Sequence, residues 1–254
     1  MANYKCFDIF GIVPPTYKIH KPIRLIELFG GIGAQAMALR NIGANFEHYK
    51  LVEFDKYPIA SYNAIHGTDF PTMDIRNVTW EDLDIVDTDK YEYLMTYSFP
   101  CTDISNAGLQ LGMSRDSGTR SGLLWEVERL LRELKENSNL PQVLLMENVV
   151  AIHQDKFAND FSEWQDFLRK LGYSNYVEDL NSKDFGVAQN RDRCFMVSIL
   201  GNWNYEFPEP TPLTKCIKDY LEDDVDEKYY VNSERALELI DRLVKDGKLD
   251  DYEQ

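Results

Sequence analysis

The chain has 254 residues, 44% of them hydrophobic and 13% aromatic, so it is long enough to bury the core of one α/β domain and to carry a further segment. It contains no apolar stretch of bilayer length and no signal-like N-terminus, and we expect a cytoplasmic protein without a membrane segment. The formal net charge of −16, from 43 acidic and 27 basic residues, argues against a complete duplex-DNA-binding protein.

Proline positions and apolar periodicity divide the chain into three parts. Residues 1–22 contain Pro14, Pro15 and Pro22 and predict an irregular extension. Residues 23–201 alternate strand-like and helical patterns, which is typical of an α/β fold, a mostly parallel sheet with helices on both faces. Residues 202–254 predict a proline-rich extended linker followed by a short helix that is too small to form a domain.

Within the middle part, apolar runs predict strands and spaced apolar residues predict helices. Strands are expected at residues 23–29, 49–54, 93–98, 143–146 and 194–200. Helices are expected after Gly33, from Pro58, and at residues 122–135 and 161–171. The helix after Gly33 is expected to bury a stripe formed by Ala34, Met37, Ala38 and Leu39.

The first strand runs into a glycine-rich turn and then a helix. Such a turn brings backbone N–H groups close to a ligand, and the helix N-terminus favours negative charge. An ordinary tight turn remains an alternative, because Gln35 and Ala36 stand where a dinucleotide-binding fingerprint has its third glycine. The candidate cofactor residues of this turn are Phe29, Gly30, Gly31, Ile32 and Gly33.

Acidic and aromatic residues follow the next two segments. Glu53, at the end of the second strand, is placed to accept hydrogen bonds from ribose hydroxyls, and Phe54 could stack on an adenine face. Asp74 could accept a hydrogen bond from the adenine amino group. The alternative is that Glu53 and Asp74 are solvated loop carboxylates.

The four cysteines form no CxxC pair, so neither a metal site nor a disulfide framework is expected. Cys6, Cys194 and Cys216 are interpreted as small buried hydrophobic residues. Cys101 differs, since it follows Pro100 on the loop that leaves a buried strand, where open α/β sheets place ligands.

A carboxylate and two arginines complete the candidate chemistry. A thiolate can add to C6 of a pyrimidine and activate C5, while Glu147 protonates N3 and Arg191 and Arg193 hold the ring oxygen and a phosphate. The two arginines are two residues apart on an extended segment and so point the same way. Each residue alone has a plainer interpretation, a capping or salt-bridged Glu147 and arginines paired with Asp184 or Asp192.

The order of these motifs resembles the DNA (cytosine-5) methyltransferase family over most of residues 23–201. The similar runs are residues 28–33 (LFGGIG), 53–55 (EFD), 74–75 (DI), 98–101 (SFPC), 120–124 (RSGLL), 147–149 (ENV) and 185–193 (FGVAQNRDR). Departures from the family pattern are Thr102 and Asp103 after the cysteine, where glutamine is usual at the first position, and Ala188 in place of a proline.

This resemblance implies a Rossmann-like S-adenosylmethionine-dependent methyltransferase fold. It implies that Cys101, with Glu147, Arg191 and Arg193, methylates C5 of a cytosine flipped out of double-stranded DNA. It also implies that S-adenosylmethionine, converted to S-adenosylhomocysteine, is held by the glycine turn with a further set of residues, Glu53, Phe54, Asp74, Ile75, Pro100 and Leu123.

The family continues into a target-recognition domain and a closing Gly-Asn-Ser/Ala-Val motif, and no such motif occurs in this sequence. We therefore expect residues 23–201 to be a catalytic domain and residues 202–254 to be a linker and the beginning of an absent recognition domain. The expected enzyme is truncated, or it is one half of a split enzyme completed by a second chain. Alternatives are a non-catalytic S-adenosylmethionine-binding protein of this fold, a tRNA cytosine-5 methyltransferase and, least favoured, a nicotinamide oxidoreductase.

Overall fold

The computed structural model describes residues 14–105, 110–115 and 117–247. Two compact units are present, Met1–Leu213 and Thr214–Gln254. Among the described residues, no helix combines the length and apolar character needed to cross a bilayer.

The first unit is built on a sheet whose described strands are six, in the order β2-β1-β3-β4-β6-β5. Strands β1 to β4 are mutually parallel, and β6 runs antiparallel to both of its neighbours. The prediction of a mostly parallel sheet is confirmed. The strands are β1 Ile23–Leu28, β2 Phe46–Val52, β3 Glu92–Tyr97, β4 Val143–Asn148, β5 Tyr173–Asn181 and β6 Asp192–Leu200.

Helices cover both faces of this sheet, as predicted. One face packs against α4 and α5, and its alternate strand residues Ile26, Met95 and Leu144 are fully buried. The other face, through Leu25 and Leu94, packs against α1 and a returning segment with Trp203. The helices are α1 Ala34–Asn41, α2 Lys56–His66, α3 Trp80–Leu83, α4 Leu124–Glu136 and α5 Asp155–Leu171.

Two details of the first helices differ from expectation. Ala36 is the buried residue of α1, packing with Leu39 against the sheet, whereas Ala34 and Ala38 are exposed and Met37 is half-buried. Helix α2 begins at Lys56, before Pro58, because the side chain of Asp55 accepts a hydrogen bond from the Tyr57 N–H and caps it.

Strand β5 was not predicted. Its residues are mostly half-buried and carry several polar side chains, so the segment shows little apolar contrast. It forms the edge of the sheet and is held by nine register pairs with β6, from Tyr173↔Leu200 to Asn181↔Asp192. Helix α5 begins at Asp155, six residues before the predicted position of 161.

The second unit consists of short 3-10 turns and one amphipathic helix, α6 Glu234–Lys245. The side chain of Ser233 accepts a hydrogen bond from the Ala236 N–H and caps the start of this helix, which is the short helix that the sequence predicted for this segment. Its residues Leu237 and Leu239 are 49% and 45% exposed, and no described residue of this unit is fully buried.

Candidate active site

The loops that carry the candidate residues meet at one edge of the sheet. Strands β1, β3 and β4 are parallel and in register, with Leu28 opposite Tyr97 and Tyr97 opposite Met146, so their carboxyl ends coincide. Strand β6 begins at the same edge because it is antiparallel to β4, with Cys194 opposite Asn148. The glycine turn, Cys101, Glu147 and Arg193 therefore share this edge, where open α/β sheets place their ligands.

The loop that carries Cys101 is held by two neutral side chains. The Nδ2 of buried Asn148 donates to the carbonyl of Phe99 at 3.1 Å, and the Oγ of Ser121 donates to the carbonyl of Pro100 at 2.7 Å. The Oδ1 of Asn148 accepts from the Val149 N–H at 2.8 Å. Cys101 itself is only partly buried, so its thiol is both positioned and accessible.

Neither Asn148 nor Ser121 was among the predicted site residues. The amide of Asn148 holds the backbone just before Pro100. Ser121 also exchanges hydrogen bonds with Asp103, two residues after the cysteine, through the Asp103 N–H and the Oδ2 of that residue, both at 3.2 Å. A serine opening a helical segment looks like a helix cap in sequence, which is why its tie to the thiol loop was missed.

Glu147 forms an ion pair with the candidate arginines. The Nε of Arg193 lies 2.9 Å from Oε1 of Glu147, and the Nη2 of Arg191 lies 4.0 Å from the same oxygen. The two arginines thus approach one carboxylate, as their spacing predicted, while Oδ1 of Asp192 accepts from Asn181 instead. Arg193 and Glu147 are 21% and 23% exposed, so a ligand at this edge still reaches them.

The glycine turn contains three residues in the left-handed backbone region, two of which are glycines. Phe29, Gly31 and Gly33 all have positive φ, of 58°, 56° and 81°. A Cβ built on Gly31 would meet no atom within 4 Å, so the backbone there faces open space that a ligand can approach.

Glu53 lies beneath this turn and ties it to the end of β2. Its Oε2 accepts from the Gly31 N–H at 3.2 Å, and its Oε1 accepts from the Asp55 N–H at 3.0 Å. Each carboxylate oxygen retains a further lone pair for a ligand hydroxyl. Phe54, beside it, is 71% exposed and offers a free ring face.

The remaining predicted cofactor residues differ in exposure and in their hydrogen-bond partners. Asp74 is engaged by Arg76, whose Nη2 lies 2.5 Å from its Oδ2, and these hydrogen bonds lower the pKa of Asp74. Ile75 is buried, whereas Pro100 and Leu123 are partly exposed. A ligand amine at Asp74 would therefore compete with, or add to, the Arg76 pair.

A buried polar cluster behind the glycine turn was not anticipated. Tyr62 donates its hydroxyl to Oε2 of fully buried Glu27 at 2.5 Å, and Nδ1 of His48 lies 2.7 Å from the same hydroxyl. The ring of His66 packs 4.8 Å from that of His48, and its Nε2 lies 3.1 Å from the carbonyl of Ile32 in the turn. An acidic residue among the apolar residues 25–28 of strand Ile23–Leu28 was the available signal.

Burial raises the pKa of Glu27 to about 7, and the hydrogen bonds donated by Tyr62 and by the Ala36 N–H limit that rise. Burial also lowers the pKa of His48, with help from the nearby charges of His66 and Arg40. Burial beneath the turn therefore favours the uncharged forms of Glu27 and His48.

The other cysteines differ from one another. Cys194 is buried, as predicted, but Cys216 is exposed, because it lies in the small second unit where no described residue is buried. Cys6 lies outside the described residues. The thiol of Cys194 donates to Asp179, and burial raises its pKa, so it is a protonated thiol.

Comparison with known proteins matches most of the chain. A family model described as C-5 cytosine-specific DNA methylase covers residues 23–248. The orphan methyltransferase M.SssI of Spiroplasma monobiae is 35% identical, over 84% of this chain and 68% of that protein. The type II methyltransferase M2.ScrFI of Lactococcus lactis subsp. cremoris is 32% identical, over 84% of this chain and 71% of that protein.

A solved structure shows the same fold. The crystal structure of S. pombe Dnmt2 methyltransferase superposes with a TM-score of 0.64 at 23% identity, over 86% of this chain and 65% of that one. The chain thus spans about two thirds of the length of these three proteins.

Proposed function

The chain belongs to the C-5 cytosine-specific DNA methylase family, and we propose that it carries the methyl-transfer centre for C5 of cytosine in DNA. The observation that supports this function is the shared sheet edge, which brings the accessible thiol of Cys101 together with the Glu147–Arg193 ion pair. The methyl donor of this family is S-adenosylmethionine, which supplies an electrophilic methyl group when bound.

The residues present fit that donor. The exposed backbone of Gly31 and the helix that begins after Gly33 suit a charged amino-acid group. Glu53 can accept hydrogen bonds from ribose hydroxyls while it holds the turn, and the free ring of Phe54 can stack on adenine. Ile32, Asp74, Ile75, Pro100 and Leu123 would complete the pocket.

Cys101 makes C5 of the base nucleophilic. Its thiolate adds to C6, which converts the ring to an enamine that is reactive at C5. After C5 has gained the methyl group, loss of the C5 proton expels the thiolate and restores the aromatic ring. Asn148 and Ser121 contribute by holding the peptide before Cys101, so that the sulfur meets C6 at a defined position.

Glu147 and the arginines act on the other side of the ring. Adding sulfur to C6 places negative charge on N3 and O2, and Glu147, when it carries a proton, donates that proton to N3. Arg193, already at 2.9 Å from Glu147, orients that carboxyl and can donate to O2. Arg191 is more exposed and suits a flanking phosphate. The base must leave the duplex to reach these groups.

Duplex DNA is the proposed partner, and its recognition is proposed to require more than these 254 residues. With 43 acidic and 27 basic residues the chain repels a polyanion at long range. We propose residues 23–201 as the catalytic domain, 1–22 as an extension and 202–254 as a connection toward a recognition segment, which a second chain could supply. The proposed compartment is the cytoplasm, where Cys101 stays reduced.

Trapping with 5-fluorocytosine tests the function. Fluorine at C5 cannot be lost as the proton is, so the Cys101–C6 bond persists once methyl transfer has occurred. The purified chain is combined with S-adenosylmethionine, a fluorinated DNA duplex and the segment or second chain that supplies DNA recognition, at low salt, where phosphate contacts are strongest. A denaturation-stable adduct is expected with the wild type and none with Cys101→Ser.

Two further arms separate the alternatives. Donor binding, measured by calorimetry, is expected in both the wild type and Cys101→Ser. A wild type that binds the donor but yields no adduct with DNA or RNA, although the recognition segment is present, would indicate a non-catalytic binding protein. An adduct with fluorinated RNA but not with DNA would overturn the choice of substrate.

A further inference from the structure

A second cluster of ligand-type side chains lies behind the ion pair of Glu147 and Arg193. It contains an imidazole, a carboxylate and a thiol, from His153, Asp179 and Cys194. His153 ends the 3-10 turn Val150–His153, which follows β4, while Asp179 and Cys194 are register partners on β5 and β6. Opposed residues of an antiparallel pair present their side chains on the same face.

The geometry of this cluster approaches that of a metal centre. Nε2 of His153 lies 3.0 Å from Oδ1 of Asp179, and the ligand atoms of all three residues lie within 4.8 Å of one another. In a tetrahedral zinc site, bonds of about 2.0–2.3 Å place the ligand atoms about 3.3–3.6 Å apart. Closing the remaining gap requires about 1 Å of side-chain movement, which the partly exposed His153 and Asp179 can make.

The donor types select the ion. Imidazole nitrogen, carboxylate oxygen and thiolate sulfur together are the ligand set of zinc rather than of calcium or magnesium, which prefer oxygen alone. The carboxylate and thiolate charges would balance a dication. We propose that His153, Asp179 and Cys194 bind one zinc ion, with solvent as the fourth ligand.

The surroundings suit this assignment. Cys194 is buried, so sulfur would approach from the core side, while the side chains of His153 and Asp179 are 25% and 34% exposed and leave an entry path from solvent. The imidazole of His153 is oriented by an edge-on contact with Phe161, at 5.4 Å between ring centroids. Binding forms a zinc–sulfur bond and releases the thiol proton of Cys194 to solvent.

Such an ion would stabilise the reaction edge, the edge of the sheet that carries the glycine turn, Cys101, Glu147 and Arg193, without contacting the substrate. Cys194 follows Arg193 directly and lies opposite Asn148, whose side chain holds the Phe99 carbonyl. The ion would thereby fasten the turn after Glu147 to the β5–β6 pair. This inference does not depend on methyl transfer, so it can fail while the proposed function stands, and the reverse.

Cobalt substitution is the direct test, because a Co²⁺–thiolate bond absorbs in the near ultraviolet whereas Co²⁺ bound only by nitrogen and oxygen does not. The full chain is stripped of metal with a chelator and titrated with Co²⁺ and then with Zn²⁺. We expect the thiolate band to saturate at one equivalent and to disappear as zinc displaces cobalt. Absence of a thiolate band in the wild type would overturn the proposal.

Matched variants identify the ligands. Cys194→Ser is expected to remove the band, and Cys6→Ser, Cys101→Ser and Cys216→Ser are expected to keep it. A band that survives in Cys194→Ser and is lost in Cys101→Ser would place the metal on the thiol loop instead and overturn the proposal.

Thermal unfolding guards against a variant that merely fails to fold. His153→Gln and Asp179→Asn change partly exposed side chains and should leave the metal-free chain folded. Zinc at 100 times its Kd should raise the folded-to-unfolded ratio of the wild type about 100-fold and that of these two variants much less. Equal stabilisation of all three proteins would contradict the site.

Discussion

The two halves of the reaction edge are positioned by different chemistry. On the thiol half, uncharged side chains of Asn148 and Ser121 hold the backbone before Cys101. On the cofactor half, the glycine turn rests on the titratable residues Glu53 and His66, and His66 belongs to the buried cluster of Glu27, Tyr62 and His48. Asn148 and Ser121 do not titrate, so their hold on the backbone before Cys101 should be insensitive to pH. Burial raises the pKa of Glu27, so the stability of the cofactor half should depend on pH.

Glu147→Gln should show the largest difference between the two halves, with a large loss of methyl-transfer rate and no loss of donor affinity. The amide keeps the size of the side chain and can still contact Arg193 but cannot supply a proton to N3, so the methyl-transfer rate should fall by about 10²–10⁴-fold. Single-turnover methylation, with whatever partner restores full activity, measures this. Donor affinity by calorimetry should be unchanged, and a marked loss of donor affinity would show that the two halves are not independent.

Gly33→Ala tests the cofactor half. The residue has a φ of 81°, and a Cβ there would lie 2.4 Å from Nε2 of His66 and 2.6 Å from Cε2 of Tyr62. Strain from the backbone, about 1–2 kcal/mol, and from the overpacking, about 1–3 kcal/mol, should lower the free energy of unfolding and weaken donor binding. Denaturant unfolding and calorimetry are the measurements.

Gly43→Ala is the matched control for that substitution. Its φ is 69°, yet a Cβ there would meet nothing within 4 Å, so only the backbone cost of about 1–2 kcal/mol should appear. Equal losses of stability in the two variants would mean that His66 and Tyr62 move aside without lowering the free energy of unfolding, and would contradict the prediction.

Glu27→Gln tests the pH response of the cofactor half. Because burial raises the pKa of Glu27 from 4.5 to about 7, the folded state holds its proton longer than the unfolded state does. The stability contributed by the neutral carboxyl is complete below about pH 4.5 and is lost as pH rises to about 7, a change of about 3 kcal/mol. The variant has no such titrating group, so its stability relative to the wild type should increase over this window.

The check is the difference in unfolding free energy between Glu27→Gln and the wild type, measured at several pH values from 4 to 8. The difference cancels the contributions of the other carboxylates. A constant difference across that range would contradict a shifted Glu27.

Ser121→Ala should have the smallest effect. It removes a donor to the Pro100 carbonyl and one partner of Asp103, at a cost of about 1–2 kcal/mol in the free energy of unfolding.

Asn148→Ala, which leaves the buried Phe99 carbonyl without its amide donor, should cost about 1–3 kcal/mol in the free energy of unfolding. Because neither side chain titrates, these losses should not vary between pH 5 and 8, and a marked variation would break the contrast with the cofactor half.

Much of the architecture was predictable because it rests on local patterns. The apolar stripe of α4, with Val127, Leu130 and Leu134 all fully buried, follows directly from helical spacing. The convergence of Cys101 and Glu147 follows from strand order in a parallel sheet. Strand β5 was not predicted from the sequence because an edge strand with half-buried residues has no clear apolar pattern.

The sequence by itself determined the alternation of strands and helices, the glycine turn and the order of thiol, carboxylate and arginines, since these depend on periodicity, on backbone freedom and on which end of a strand a residue follows. Only the tertiary structure decided that Glu27 lies under the glycine turn with Tyr62, that Ser121 holds the peptide before Cys101, and that Cys194 meets Asp179 and His153. These contacts join residues 15 to 41 positions apart in the chain. Side chains that distant meet through sheet register and helix packing, which no local pattern encodes.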